Sequence, residues 1–379
     1  MKIEQKCINV ARAITAETIT NANSGHTGSS VGAATILFAL FKDHLIFSSS
    51  DREFLNRDRF VLSAGHLCPL LYTIEHMFGF PISSEDLKNY RKYGSITPGH
   101  PHFGETPGIE VSTGPLGQGV ANAVGLAIAQ SLLAERFNVL DDPIFSNKTY
   151  VLAGDGCLME GVALEAISLA GTLKLKDLIL LYDRNSITID GNLNISNTEN
   201  VAAKFVAQGW NVIHCPNGNN YRAVTRAISH AKQSATKPTI IIFDTVIGFG
   251  TPYAGKPAIH GRPLSQEELE VYKKSLQITS EPFVVPDDVK EFCKITTDKN
   301  FEIEMEWRRK VNLYSKTNPE LYKQLSQFLD KKPIDVEKIV GNKIKEKKIS
   351  GREANFRILN LIAERYPNFV GGAADVAAS

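Results

Sequence analysis

Over the first 250 residues, apolar positions fall alternately into two patterns: helix-period stretches with one apolar face, and short continuous runs rich in Val, Ile, Leu and Tyr. That alternation predicts an α/β fold with a doubly wound parallel sheet, since a buried parallel strand reads as an unbroken apolar run and its crossover as an amphipathic helix. The predicted strands are Arg59 to Leu62, Thr149 to Ala153, Leu178 to Tyr182, Asn211 to His214 and Thr239 to Val246. An apolar helix is expected from Val120 to Glu135. From about Pro263 to Lys348 the strand pattern fades into charged, helix-period sequence, expected to cover the first domain and lead into a connection. A new apolar segment begins near Ile349 and reads as one helix, Arg352 to Arg365, and one strand, Asn368 to Gly371. One helix and one strand cannot bury a core of their own. The expected organisation is therefore a first domain over 1–320, a linker over 321–348, and the incomplete opening of a second domain over 349–379.

Composition narrows the class. The chain has 379 residues, 43% of them apolar, enough to fill sizeable cores. A net charge of +1 gives no field for nucleic acid or a membrane surface, and the basic run from Lys343 to Lys348 reads as a solvated helix face. There is no signal peptide and no stretch of eighteen apolar residues, so no membrane partner is expected. The five cysteines, Cys7, Cys68, Cys157, Cys215 and Cys293, are scattered without metal-ligand spacing, which fits a reducing cytoplasm.

The most informative residues are Asp155, in the run Gly154-Asp155-Gly156 after one apolar strand, and Asn185, after the next. A glycine-rich turn between strand and helix ordinarily cradles phosphate on backbone N–H groups and the helix dipole. An aspartate in that turn repels phosphate unless a divalent cation lies between them, held by the carboxylate, the Asn oxygen and a backbone carbonyl. The pattern thus points to a Mg²⁺-bridged diphosphate. A dinucleotide fingerprint, with Asp183 on a ribose hydroxyl, is the alternative, although Gly161 comes two positions late for it; a plain turn without ligand is another. Ligands of such sheets bind outside the carboxyl ends of the strands. Ser63 to His66, the Gly154 turn, the Asn185 turn and Gly248-Phe249-Gly250 are accordingly expected on one edge.

Four of the nine histidines stand beside glycine in loop-like contexts: His26, His66, His100 and His260. Taken singly, each could be a loop histidine bonded to a nearby carbonyl. Together they suit chemistry at carbonyl and hydroxyl carbons, where imidazoles donate to hydroxyls or move protons. His44, His76, His102, His214 and His230 lack that context and are expected to be structural or superficial. Thr113-Gly-Pro-Leu-Gly-Gln-Gly119 would let a flat heterocycle or a backbone approach closely; the alternative is a tight helix-opening turn. Glu160 and Glu165 follow the phosphate turn, and the neighbours of Glu160 predict that it is buried and in need of a partner or a proton.

The runs Ser24-Gly-His26, Thr113 to Gly119, Gly154-Asp-Gly-Cys-Leu-Met-Glu-Gly161, Ser168 to Leu175, Ile247-Gly-Phe-Gly250 and Gly371-Gly-Ala-Ala-Asp375 occur in order along the whole chain, and in combination they resemble transketolase. The resemblance implies a thiamine diphosphate enzyme that moves a two-carbon ketol unit between sugar phosphates, such as xylulose 5-phosphate and ribose 5-phosphate, as a homodimer. It implies that Asp155, Asn185 and the Ile187 carbonyl hold Mg²⁺, with Ca²⁺ or Mn²⁺ as substitutes. It further implies that His66, Gly114, Pro115, Leu116, Gly156, Asn185 and His260 contact the cofactor. By the same resemblance His26, His100, His260 and Glu160 are catalytic, and His26, His260, Arg352 and Ser379 bind substrate. Glu160 and Glu165 match acids that link the two active sites of a dimer. The glutamate that in the family activates the aminopyrimidine ring belongs to the second domain of the partner subunit, and no glutamate here matches it.

Several positions depart from the family pattern: Thr27 for a proline, Leu67-Cys68 for a small pair, Arg184 for a common acid, Ala373 for serine and Ala378 for proline. Arg184 is expected either to face solvent or to add a cation near the diphosphate. Three further readings compete: a subunit of a split transketolase, a dihydroxyacetone synthase, and a non-catalytic binding protein that keeps the thiamine diphosphate fold.

Overall fold

Five parallel strands form the central sheet: β1 (Arg59–Leu62), β2 (Thr149–Gly154), β3 (Leu178–Arg184), β6 (Asn211–Cys215) and β7 (Thr239–Asp244), ordered β1-β2-β3-β7-β6. Two short strands, β4 (Ile187–Thr188) and β5 (Gly191–Asn192), make an antiparallel pair just after β3. In this computed structural model, residues 1–140, 142–330, 333–344 and 348–373 are described. They fall into two units, Met1–Trp307 and Arg308–Ser379.

All five predicted strands are present, with ends shifted by no more than two residues. Nearly every residue of β2, β3 and β7 is buried, so the sheet is covered on both faces, as parallel sheets require. The N-terminal layer comprises α1 (Ile3–Asn21), α2 (Thr27–Gly32), α3 (Ala34–Asp43), α4 (Cys68–Met77) and α5 (Ser84–Lys88). Next come α6 (Gln118–Phe137), packed on β1 and β2, and α7 (Gly161–Thr172), packed on α6. Then α8 (Val201–Ala207) lies on β6, and α9 (Tyr221–Ala231) on β6 and β7. The core runs through Phe38, Phe78, Tyr72, Tyr150 and Tyr182.

The expected helical stretch beyond Pro263 forms α10 (Gln266–Ser275), α11 (Asp287–Thr317), α12 (Pro319–Phe328) and α13 (Val336–Val340). The last predicted helix is α14 (Gly351–Arg365), capped by the Ser350 hydroxyl, which accepts from Glu353 N. The predicted strand at Asn368 to Gly371 is not formed. A strand exists only against a ladder partner, and Phe369 N instead donates back to Tyr366 O in a turn. Ala378 and Ser379 lie outside the described residues. Among the described residues, no helix is long and apolar enough to cross a membrane.

Candidate functional site

The strand register brings the chemically marked turns to one edge. Leu62 pairs with Leu152, Gly154 with Asp183, and Arg184 with Asp244, so β1, β2, β3 and β7 end nearly level. Outside those ends lies a cavity of about 510 Å³. It is lined by His26, His66, His100 and His260, by Gly114 and Leu116, by Asp155, Gly156 and Glu160, and by Asn185 and Ile187. Pro115 is exposed and outside the lining, and Arg352 stands in the first turn of α14, in the second unit. The Gly248-Phe249-Gly250 turn, expected on the same edge, does not line the cavity either. Gly248 N donates to Gly28 O at 2.8 Å instead, so this turn buttresses the helix that follows His26.

Asp155 opens the turn after β2 and is 5% exposed. Its Oδ1 accepts the Tyr182 hydroxyl at 2.5 Å and its Oδ2 accepts Ser186 N at 3.0 Å. Burial raises its pKa; the Tyr182 hydroxyl, the backbone N–H groups of Ser186 and Asn185 and the Arg184 charge oppose that rise, and no ion pair reaches it among the described residues. An ionised carboxylate has about four acceptor positions, so these donors leave room for a cation. Asn185 is fixed beside it: Oδ1 accepts Ile187 N at 3.0 Å, and Nδ2 donates to Asp183 Oδ2 at 3.2 Å. Ser186, at φ 61°, supplies the left-handed residue that bends β3 back into β4 and aims its N–H at Asp155.

Asp183 is 2% exposed and accepts both the Thr245 hydroxyl and Asn185 Nδ2. Burial first, and then the Asp155 charge, push its pKa up to about 7. A carboxyl so occupied is poorly placed to serve a ribose hydroxyl, which weighs against the dinucleotide alternative.

Three imidazoles cluster in the lining of the same cavity. The His26 ring centroid lies 4.8 Å from that of His66 and 5.8 Å from that of His260, and His66 and His260 are 5.6 Å apart. Nδ1 of His26 and Nδ1 of His260 are buried without a hydrogen-bond partner. His100 approaches through the glycines: a Cβ on Gly65 would lie 3.2 Å, and one on Gly114 3.7 Å, from His100 Cδ2. Burial first, then the neighbouring cationic forms, lowers the pKa of His26 to about 4 and that of His66 well below the ordinary value. Burial likewise lowers His260, and burial with Arg91 lowers His100.

The ring of His26 is thus expected to stay neutral as pH falls through 6.5 and to protonate only near about 4. The unfolded chain binds that proton at the higher value, so the stability His26 contributes is complete above 6.5 and declines as pH falls towards 4. Ring NMR of the folded chain checks this, and a midpoint at the unperturbed value would contradict it.

Some sequence expectations are corrected here. Glu160 is exposed, not buried: it is the N-cap of α7, with its side chain at the cavity rim and its carbonyl accepting Ala163 N and Leu164 N. Arg184 neither faces the cavity nor stands free. Its Nε donates to Asp244 Oδ1 at 2.6 Å and it contacts His214, at the far side of the sheet edge. Leu67 and Cys68 are both buried; Leu67 lines the cavity, and Cys68 Sγ donates to Gly99 O at 3.2 Å, holding the loop that carries His100. Thr27 is buried with its hydroxyl unpartnered.

Tyr182 was missed, because it looks like one more apolar residue of β3 and only the sheet register brings its hydroxyl to Asp155. Replacing Tyr182 with Phe removes a bond to a buried carboxylate and is expected to cost about 1.5–3 kcal/mol. Urea unfolding of the variant measures it; an unchanged midpoint would show the bond to be unimportant.

A parallel-sheet edge that joins a glycine-flanked aspartate, a neighbouring asparagine and a wall of neutral imidazoles defines a diphosphate-binding domain. Residues 3–333 match the family described as transketolase, thiamine diphosphate binding domain. The chain belongs to the transketolase family. It is 43% identical to the transketolase of Bacillus subtilis over all of its length and 57% of that protein's, and 42% identical to transketolase 2 of Escherichia coli over 98% of this chain and 56% of that one. Among solved structures, it superposes on transketolase from Leishmania mexicana with a TM-score of 0.93 at 38% identity, covering 100% of this chain and 57% of that one. The transketolase of Pichia stipitis, solved in complex with sedoheptulose 7-phosphate, superposes with a TM-score of 0.94 at 38% identity, covering 100% and 56%. The chain thus spans somewhat more than half the length of these relatives.

The residues present fit a metal-bound thiamine diphosphate. A Cβ on Gly154 would meet nothing within 4 Å, so the turn stands open, and Asp155, Asn185 and His66 line the same cavity. Among the described residues no cluster of three His, Cys, Asp or Glu could hold a metal unaided. A buried carboxylate beside an asparagine would suit Mg²⁺ with phosphate oxygens and water filling the rest of the shell.

Proposed function

We propose that this chain supplies the metal- and diphosphate-binding half of a transketolase active site, in a protein that transfers a two-carbon ketol unit from a ketose phosphate to an aldose phosphate. The observation that carries the reading is the convergence of Asp155, Asn185 and four histidines on one cavity at the sheet edge. Asp155, Asn185 and the Ile187 carbonyl hold Mg²⁺, or Ca²⁺ or Mn²⁺ in its place. Gly114, Leu116, Gly156 and His66 seat the cofactor, which supplies an electron sink for breaking a carbon–carbon bond.

The protein's own contribution is orientation and proton handling. His26, His100 and His260 line the same space; neutral at physiological pH, each offers one N–H donor and one acceptor nitrogen to sugar hydroxyls. Arg352 and Ser379 bind the substrate phosphate, a role in keeping with the sugar-phosphate complex of the Pichia stipitis relative. Glu160 lies at the rim, and Glu165, Leu169 and Leu173 recur at four-residue spacing along one exposed face of α7. That face suits a second copy of the chain, in a cytoplasmic homodimer whose partner supplies the ring-activating acid.

Ketol transfer from xylulose 5-phosphate to ribose 5-phosphate tests the reading, assayed with the 379-residue chain alone and with a polypeptide carrying the pyrimidine-binding region added. Activity is expected only when the site is completed. Turnover by the chain alone would overturn the half-site assignment.

A further inference from the structure

A second cavity, of about 210 Å³, opens between the end of α3, the start of β1, the last turn of α4 and the loop 105–110. It shares no lining residue with the histidine cavity. At its wall is Glu75, only 2% exposed, whose Oε2 has no hydrogen-bond partner. Aromatic rings in mutual contact also line the cavity: Phe41 and Phe47 have centroids 5.7 Å apart, and Phe47 and Phe80 5.3 Å apart. Gly108, at φ 80°, closes the loop over this carboxyl; a Cβ there would run into Glu75 Oε1 and lie 2.9 Å from Phe80 Cε1. Glycine is required at that position both by conformation and by space.

The other charged groups around the cavity already have partners. Arg57 grips Glu110 through two bonds of 2.9 Å, and Arg59 approaches the same carboxylate at 3.6 Å. Asp58 accepts Ile46 N and Lys148 N. Arg52 donates to Ile109 O and lies over the Phe103 ring, and Glu105 meets His102. Two guanidinium groups thus stand against four carboxyl groups in the lining, and Glu75 is the carboxyl left over. Burial, reinforced by Glu110, holds the Glu75 pKa well above the carboxylate range, which favours its protonated form.

A buried carboxyl beside aromatic faces is matched by one kind of ligand, because the negative ring faces and the carboxylate both attract a cation. An apolar cavity of about 150 Å³ accommodates benzene, so this one has room for a ring and an ammonium group. We propose that the cavity is a binding site for a small organic cation, a primary ammonium on a compact apolar body, with Glu75 as its counter-ion. The apolar body lies against Phe41, Phe47 and Phe80, and the proton displaced from Glu75 passes to the buffer.

Benzylammonium is the probe, titrated into the 379-residue chain by calorimetry at neutral pH in two buffers of different ionisation enthalpy, with benzyl alcohol as the uncharged comparison. The expected result is saturable binding with proton release, at least about tenfold weaker for benzyl alcohol and for the Glu75→Gln variant. Glu75→Leu, which fills the space with an apolar group, is expected to fold at least as stably as the parent and to lose the site as well. No saturable binding of benzylammonium, equal binding of the alcohol, or unchanged affinity in either folded variant would overturn the proposal.

Discussion

Replacing Asp155 with alanine is expected to weaken Mg²⁺-dependent binding of thiamine diphosphate by at least about 100-fold, or roughly 2.7 kcal/mol. The expectation rests on the absence of any substitute. Of the other carboxyls in the lining, Asp183 is occupied by Thr245 and Asn185, with its pKa raised to about 7, and Asp190 is exposed in the turn between β4 and β5. Glu160 is at the rim, on the N-cap of α7. Asp155 itself sits buried without an ion pair among the described residues, and such a carboxylate is stabilised by a divalent cation more than by anything else within reach. Asp155→Asn keeps the shape and the acceptor oxygen but loses the charge, so it should fall between parent and alanine variant. Calorimetric titration with Mg²⁺ present checks both; an alanine variant of parental affinity would mean that the carboxylate is not the metal ligand.

Gly119→Ala is expected to destabilise the fold by about 1–3 kcal/mol, as overpacking does, and to lower cofactor affinity with it. A Cβ at this position would lie 2.5 Å from Ser63 Cα and 2.8 Å from Ser63 Cβ, so backbone has to move. What moves is the start of α6 and the loop before it, including Gly114 and Leu116 in the cavity wall, against the β1 exit that leads to His66. Gly125 on the same helix makes the contrast: a Cβ there meets nothing within 4 Å. Gly125→Ala should therefore be neutral or stabilise by up to about 1 kcal/mol through helix propensity. Urea midpoints of the two variants decide the matter, and equal effects would contradict the close-approach argument.

The strands of the sheet were legible in the sequence because each buried parallel strand is an apolar run bounded by polar turns. Thr149 to Gly154 and Leu178 to Arg184 stand out on that ground alone. The failure at Asn368 to Gly371 has the same root: an apolar run specifies a strand only if a partner strand lies beside it. The cavity residues were legible where glycine stands next to a charged or imidazole side chain, as at Asp155, His26, His66, His100 and His260. Side-chain partners brought together by register were not. Neither the bond from Tyr182 to Asp155 nor the pairing of Arg184 with Asp244 follows from spacing, since the first joins β3 to the turn after β2 and the second joins β3 to β7. Glu160 was misjudged because apolar neighbours predict burial only where the helix end is covered, and the N-cap of α7 is open.

The most direct test of the central claim is calorimetric titration of the 379-residue chain with thiamine diphosphate, once in Mg²⁺ and once in a chelator. The Asp155–Asn185 site predicts saturable one-site binding in Mg²⁺ that disappears when the metal is removed. Binding of equal strength in the chelator, or none in Mg²⁺, would contradict it.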